Sequence, residues 1–208
     1  MEPGTVRPGG RTARVRAAVL EAAGDVLAEQ GFAHLDLAEV ARRAEVGKTT
    51  LYRRWGTVTA LVTDLLEDMA EQSVPRTETG ALLGDLTANA RLVRRTLTDA
   101  RQGPLFKAVI AAATCDERTA AALRRFYEVR IEEWEPCARQ AVERGEIPAG
   151  TDTREVIRAV SAPLYYRFLL DGGLLDDEAA VRAAGAACAA AKAGAFTTDT
   201  ARPRSSDR

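Results

Sequence analysis

The segment GFAHLDLAEVARRAEVGKTTLYRRWGTVTALV, residues 31–62, decides the fold class of this chain. Asp36 and, three residues later, Glu39 have the form of a capping box. Leu37, Val40, Ala41 and Ala44 behind them share one apolar face, so a helix of about two turns is expected there. Glu45, Val46 and Gly47 break it. The next short segment, Lys48 to Trp55, sets Leu51 and Trp55 four residues apart and is otherwise Lys, Thr, Tyr and Arg, the pattern of a polar helix with a narrow anchor. Two short helices joined by a tight turn make a helix-turn-helix, in which the first helix braces the DNA backbone and the second enters the major groove. Lys48, Thr49, Thr50, Tyr52, Arg53 and Arg54 then offer donors to phosphate oxygens and base edges. The competing reading of Lys48, Arg53 and Arg54 is a solvated face, the usual fate of basic residues on helices. Leu51 and Trp55 read as core.

Working outward, Val15, Ala18, Val19, Ala22, Ala23, Val26 and Leu27 recur at three- and four-residue spacing. They predict a helix from about Ala13 to a glycine stop at Gly31. Downstream, Thr57 is the expected N-cap of a longer helix carrying Leu61, Leu65, Leu66 and Met69, from about Val58 to Gln72. Beyond the punctuation at Pro75 to Thr79, helices are expected at roughly 80–101, 104–113, 117–144, 153–171 and 177–194. Gly103-Pro104, the loop from Gly145 to Asp152, and Gly172-Gly173 separate them, and Pro163 should kink or offset its helix. No segment reads as a strand. Abundant Ala with only 5% aromatic residues agrees, and the expected class is all-α. The expected organisation is a disordered basic arm over 1–12, a helix-turn-helix domain over 13–57, a helical ligand-binding and dimerisation domain over 58–194, and a disordered tail over 195–208.

Charge places the DNA-binding end. The net charge is only -1, but Arg7, Arg11, Arg14 and Arg16 crowd the N-terminus against Glu2, whereas Asp116, Glu117, Glu128, Glu132, Glu133 and Glu135 make the middle acidic. Cys115, Cys137 and Cys188 are odd in number and far apart, and His34 is the single histidine, so neither a disulfide framework nor a metal site is expected. No apolar stretch reaches the length of a membrane span or of a signal-peptide core, so no membrane partner is expected and the cytoplasm is the expected location. Gly47-Lys48-Thr49-Thr50 imitates the end of a phosphate-binding loop, but the first glycine is replaced by Arg42 and no strand precedes it. No paired nucleophile and base, metal cluster or cofactor loop is present, so no catalytic residues, no cofactor and no enzymatic activity are expected.

Gly31-Phe32, Val40-Ala41, Val46-Gly47 and Thr50-Leu51-Tyr52-Arg53-Arg54-Trp55 fall in register with a helix, a G-[FY] boundary, a helix-turn-helix closing on T-L-Y-x-x-[FW], and a turn into a long helix. Over about 50 residues the sequence thereby resembles the TetR family of repressors. The resemblance implies that Lys48, Thr49, Thr50, Tyr52 and Arg54 face DNA and that the chain beyond Pro75 binds a ligand and dimerises. Where the family usually has Pro-Ser-Lys after the aromatic residue, with the lysine contacting phosphate, this sequence has Gly56, Thr57 and Val58 and so no lysine at that place. Thr57 and the helix N-terminus behind it remain able to donate hydrogen bonds to an anion.

In the C-terminal region Arg94, Phe106, Phe126, Tyr127, Trp134 and Tyr165 are candidates to line an effector pocket, although aromatic residues at helical spacing are more often core. The two helices over about 153–194 are candidates for a four-helix homodimer interface, which the resemblance supports. The sequence therefore reads as a ligand-released repressor that binds a palindromic double-stranded operator as a homodimer, with an unidentified small-molecule effector. A DNA-binding structural or regulatory protein without an effector is the alternative.

Overall fold

A computed structural model describes residues 10–72, 76–171 and 174–198; the rest of the expected arm and tail lies outside the described residues. The described residues form helices α1 (Arg11–Gln30), α2 (Leu37–Arg43), α3 (Lys48–Arg54), α4 (Val58–Glu71), α5 (Leu82–Thr98), α6 (Gln102–Ala113), α7 (Glu117–Glu143), α8 (Thr153–Tyr166) and α9 (Asp177–Lys192). Among them there is no strand, only an isolated bridge between Thr151 and Thr197. The all-α class follows from the periodicity of the apolar residues.

Two compact units are present, residues 1–73 with 99–127, and residues 74–98 with 128–208. In the first, α1 lies against α2, α4 and α6. Its Val19, Ala23, Val26 and Leu27 are almost wholly buried, as are Leu61 and Val62 of α4 and Leu105 and Phe106 of α6. Gly31 ends α1 at φ 77°, a left-handed position that favours glycine, and its N–H returns to the Leu27 carbonyl. In the second unit α5, α8 and α9 pack on one another, and Trp134, Cys137, Ala138 and Ala141 of α7 join their core. Asp152 and Asp176 cap α8 and α9, accepting the N–H groups of Arg154 and Glu155 and of Ala179 respectively.

Several expectations differ from the structure in instructive ways. The helix expected from Ala13 already includes Arg11 and Thr12. The expected capping box at Asp36 and Glu39 is not made: Asp36 forms no side-chain cap, and Glu39 turns to Arg42 and Arg43. Two guanidiniums within a turn are stronger donors to a carboxylate than one backbone N–H. Gly103-Pro104 does not precede α6 but lies in its first turn, where a missing N–H costs nothing, and Asp99 accepts the N–H groups of Arg101 and Gln102 ahead of it. The helix expected over 153–171 runs through Pro163 and passes after Tyr166 into a wider π turn, Arg167–Asp171. Residues 99–127 belong with the DNA-proximal helices rather than with the rest of the C-terminal region, because α6 supplies apolar side chains to the α1 core.

Candidate nucleic-acid interface

The helix-turn-helix is assembled from a buried brace and an exposed blade. Leu37, Val40 and Ala41 bury one face of α2, after which the chain reverses with Val46 N–H donating to the Ala41 carbonyl at 3.0 Å. The reversal puts Glu45 at φ 53°, the one non-glycine residue at positive φ among the described residues. Gly47 then opens α3, its carbonyl accepting Thr50 N–H at 2.9 Å.

On α3 only Leu51 is buried, and Trp55 just past its end is 8% exposed. Around these anchors Lys48, Thr49, Arg53 and Arg54 are exposed, Tyr52 is half-exposed at 50%, and Thr50 is partly buried. Six of the seven residues expected to face DNA thus lie on one short helix. Thr57, the seventh, is exposed and caps α4 by accepting Ala60 N–H at 3.1 Å.

Charge around the helix is organised unevenly. Arg42 and Arg43 are tied to Glu39, and Arg43 also to Glu29 at 2.7 Å. The hydrogen bonds from Arg42 and then Arg43 hold the Glu39 carboxyl at about 2, well below the ordinary carboxylate range. Among the described residues Lys48, Arg53 and Arg54 make no ion pair, so their charge stays available to phosphate.

A polar network that the sequence reading missed stands behind the blade. Trp55 Nε1 donates to Asp64 Oδ2 at 2.8 Å, while Arg16 of α1 donates from Nε and Nη2 to Asp64 Oδ1 at 3.0 and 2.7 Å. Arg16 Nη1 reaches Asp68, one turn further along α4. Burial alone would push the Asp64 carboxyl up, but the bonds from Arg16 and Trp55 outweigh it and hold the group below its ordinary value. The Arg54 guanidinium lies 4.9 Å from the centre of the Trp55 ring. A signal for this network existed: two aspartates four residues apart on one helix repel unless a cation sits between them, and a buried indole N–H needs an acceptor.

The six pocket candidates fall into separate groups. Phe106, Phe126 and Tyr127 belong to the first unit, with ring centres 5.4 Å apart in each successive pair, and Phe106 is only 1% exposed. Arg94, Trp134 and Tyr165 belong to the second, where Trp134 is 3% exposed within the core, Tyr165 packs against that core, and Arg94 stands 4.0 Å from Asp177. A groove of about 630 Å³ on the second unit is lined by Thr77, Thr79, Leu83, Thr87, Arg91 and Arg95 among others, and by none of the six. Cys115 is exposed, and the buried Cys137 thiol is pushed up to about 11, mainly by burial, which leaves it unreactive. Among the described residues no cluster of His, Cys, Asp or Glu is placed to hold a metal, and no helix is long and apolar enough to cross a membrane.

Comparison with known proteins agrees with this geometry. Residues 19–65 match the family described as "Bacterial regulatory proteins, tetR family", and residues 76–187 match "Tetracyclin repressor-like, C-terminal domain". The HTH-type transcriptional regulator YdeS of Bacillus subtilis is 31% identical over 161 residues, 77% of this chain and 81% of the relative. The DNA-binding transcriptional repressor TetR of Mycobacteroides abscessus is 32% identical over 163 residues, 77% of this chain and 85% of that one. The crystal structure of the TetR family transcription regulator SCO0332 superposes with a TM-score of 0.68 at 30% identity, covering 85% of this chain and 97% of that one. With both halves matched and the recognition helix in place, the chain belongs to the TetR family of DNA-binding transcriptional regulators, which are not enzymes.

Proposed function

We propose that two copies of this chain bind a palindromic operator as a repressor and that a small molecule bound in the C-terminal region releases them. The observation that carries the DNA half is the α3 surface, where Lys48, Thr49, Tyr52, Arg53 and Arg54 project around the buried Leu51 and Trp55. In this reading Lys48, Thr49, Thr50, Tyr52, Arg53 and Arg54 meet base edges and phosphates, and the Thr57 hydroxyl donates to a phosphate while its oxygen caps α4. The Mycobacteroides abscessus relative, a DNA-binding transcriptional repressor by name, supports repression as the outcome.

The dimer reading draws on exposed apolar side chains at the end of α8 and beyond it. Tyr166, Leu169, Leu170 and Leu174 are 62%, 41%, 73% and 83% exposed, and Val181 of α9 is 42% exposed. Covering such a patch with its own copy gives a closed two-fold interface. Two recognition helices held about 35 Å apart would meet successive major grooves. An effector that prefers the DNA-incompetent arrangement would weaken binding by a coupling of about 1–3 kcal/mol. The reading without an effector draws on Phe106 and Trp134, which are packed into cores.

The test is a gel-shift titration against the chain's own upstream DNA at two salt concentrations, beside the variant Lys48→Ala/Tyr52→Ala. Specific, salt-sensitive binding weakened about 100-fold in the variant is expected, since each base contact is worth roughly 1–3 kcal/mol. Binding with no preference over random DNA, unchanged in the variant, would remove the operator reading. Light scattering that found only monomer in DNA-free protein would remove the dimer.

A further inference from the structure

We propose that Asp64 is the positioning residue of the DNA-binding face: its carboxylate, braced by Arg16, holds the indole N–H of Trp55 and so sets the orientation of the recognition helix and of Arg54. This rests on the reading that α3 enters DNA. No base or phosphate need touch Asp64 itself.

The need for such a residue follows from the dimensions of α3. It has seven residues, too few for a helix to persist by itself in water, so its orientation comes from tertiary contacts. Its apolar contacts are Leu51 and Trp55, four residues apart on nearly one line along the axis. Two apolar anchors in line resist lifting of the helix but leave rolling about that line weakly opposed, because apolar contact has no preferred direction. A hydrogen bond has one. Trp55 Nε1 to Asp64 Oδ2, at 2.8 Å and with an ionised acceptor, supplies direction at the end of α3 where roll would displace Arg53 and Arg54.

The acceptor is itself prevented from turning. Asp64 divides its oxygens, Oδ2 to Trp55 and Oδ1 to both Nε and Nη2 of Arg16. Arg16 is held in turn by Asp68, and both its guanidinium and the two carboxylates are about four-fifths buried or close to it, with side-chain exposures of 26%, 21% and 19%. Rotation of the Asp64 carboxylate would therefore break bonds to two other helical segments at once. The Arg54 guanidinium, 4.9 Å over the Trp55 ring, takes its place from the ring that Asp64 orients. Arg16 thus belongs to the positioning device too, although composition alone counts it among the basic residues of the N-terminus.

Asparagine at position 64 has one oxygen where two are in use, so either Arg16 or the indole meets an N–H instead of an acceptor. Phenylalanine at position 55 keeps the apolar anchor and removes only the donor. The experiment measures affinity for operator and for random DNA, the melting temperature, and the indole N–H resonances of Trp55 and Trp134 in Asp64→Asn, Trp55→Phe and the double variant. DNA binding is measured well below each melting temperature.

Each single variant is expected to bind operator about tenfold more weakly, while random DNA, held by charges that remain, changes less than about twofold. The double variant is expected to be no weaker than the worse single one, because both remove the same link. In Asp64→Asn the Trp55 indole resonance should move and that of Trp134 should stay. Trp55→Phe decides the matter by itself where Asp64→Asn does not fold. Operator affinity unchanged in folded variants, with wild-type protein still selective, overturns this assignment alone, as do losses that add in the double variant. Wild-type protein that does not distinguish operator from random DNA overturns the DNA reading and this assignment together.

Discussion

Helices α3 and α9 are both amphipathic but are built on opposite principles. α3 is short and fastened by two large side chains, Leu51 and Trp55, leaving its chemistry outside. α9 is sixteen residues long and buries Ala179, Ala180, Ala183, Ala184, Ala187, Cys188 and Ala191, all of them small. Alanine needs little help to be helical, and a face of small side chains lets neighbouring helices approach closely. The difference teaches that the first helix depends on what its anchors reach, and the second on how little its buried face protrudes. α3 should fail by truncation and α9 by enlargement.

The largest effect is expected from Leu51→Ala, which removes a fully buried anchor and should cost about 2–5 kcal/mol of stability by chemical denaturation. A loss under about 1 kcal/mol would mean that Trp55 and its network hold α3 without help. The complementary break is Ala184→Leu at a wholly buried position of α9, which should cost about 1–3 kcal/mol through overpacking. A neutral outcome there would show slack between α9 and its neighbours, α5 and α8, and weaken the contrast.

Turn chemistry sharpens the same comparison. Among the described residues the second unit uses glycine at its positive-φ positions, Gly80, Gly145, Gly150 and Gly194, whereas the turn into α3 places Glu45 at φ 53°. Glu45→Gly removes a Cβ from the left-handed region and should raise stability by up to about 1 kcal/mol, seen as a higher melting temperature with unchanged operator contacts. A lower melting temperature would mean that the glutamate side chain contributes more than the backbone conformation costs.

The smallest effect concerns acid. The Glu39 carboxyl sits at about 2 in the folded protein, below its ordinary value, because of Arg42 and Arg43. A depressed carboxylate contributes stability above its unfolded pKa and loses that contribution as pH falls toward the folded value. The melting-temperature advantage of wild type over Glu39→Gln should therefore be present at neutral pH and vanish between about pH 4.5 and 2. An advantage that persisted at pH 2 would place its origin elsewhere. Arg42 is exposed and Glu39 and Arg43 remain partly open to solvent, so the difference is expected to be slight.

Much of the molecule is legible in its sequence. Apolar spacing, the glycine stop at Gly31 and the cap at Thr57 marked helix boundaries to within a few residues, because periodicity and capping act within about one turn. The six α3 candidates were legible for the same reason, since Leu51 and Trp55 determine which way the remaining side chains face. The fates of Glu39 and Asp36 were not, because a cap and an ion pair compete for the same oxygens and the sequence offers both.

By itself, then, the sequence determined an all-helical chain with a helix-turn-helix and told which side chains of its second helix are exposed. Only the tertiary structure decided that residues 99–127 pack with the N-terminal helices, that Phe106 and Trp134 are core, and that Arg16, Trp55 and Asp64 form one network. The physical reason is distance along the chain: Arg16 and Asp64 are 48 residues apart, and their meeting depends on how α1 and α4 pack, which no local period encodes.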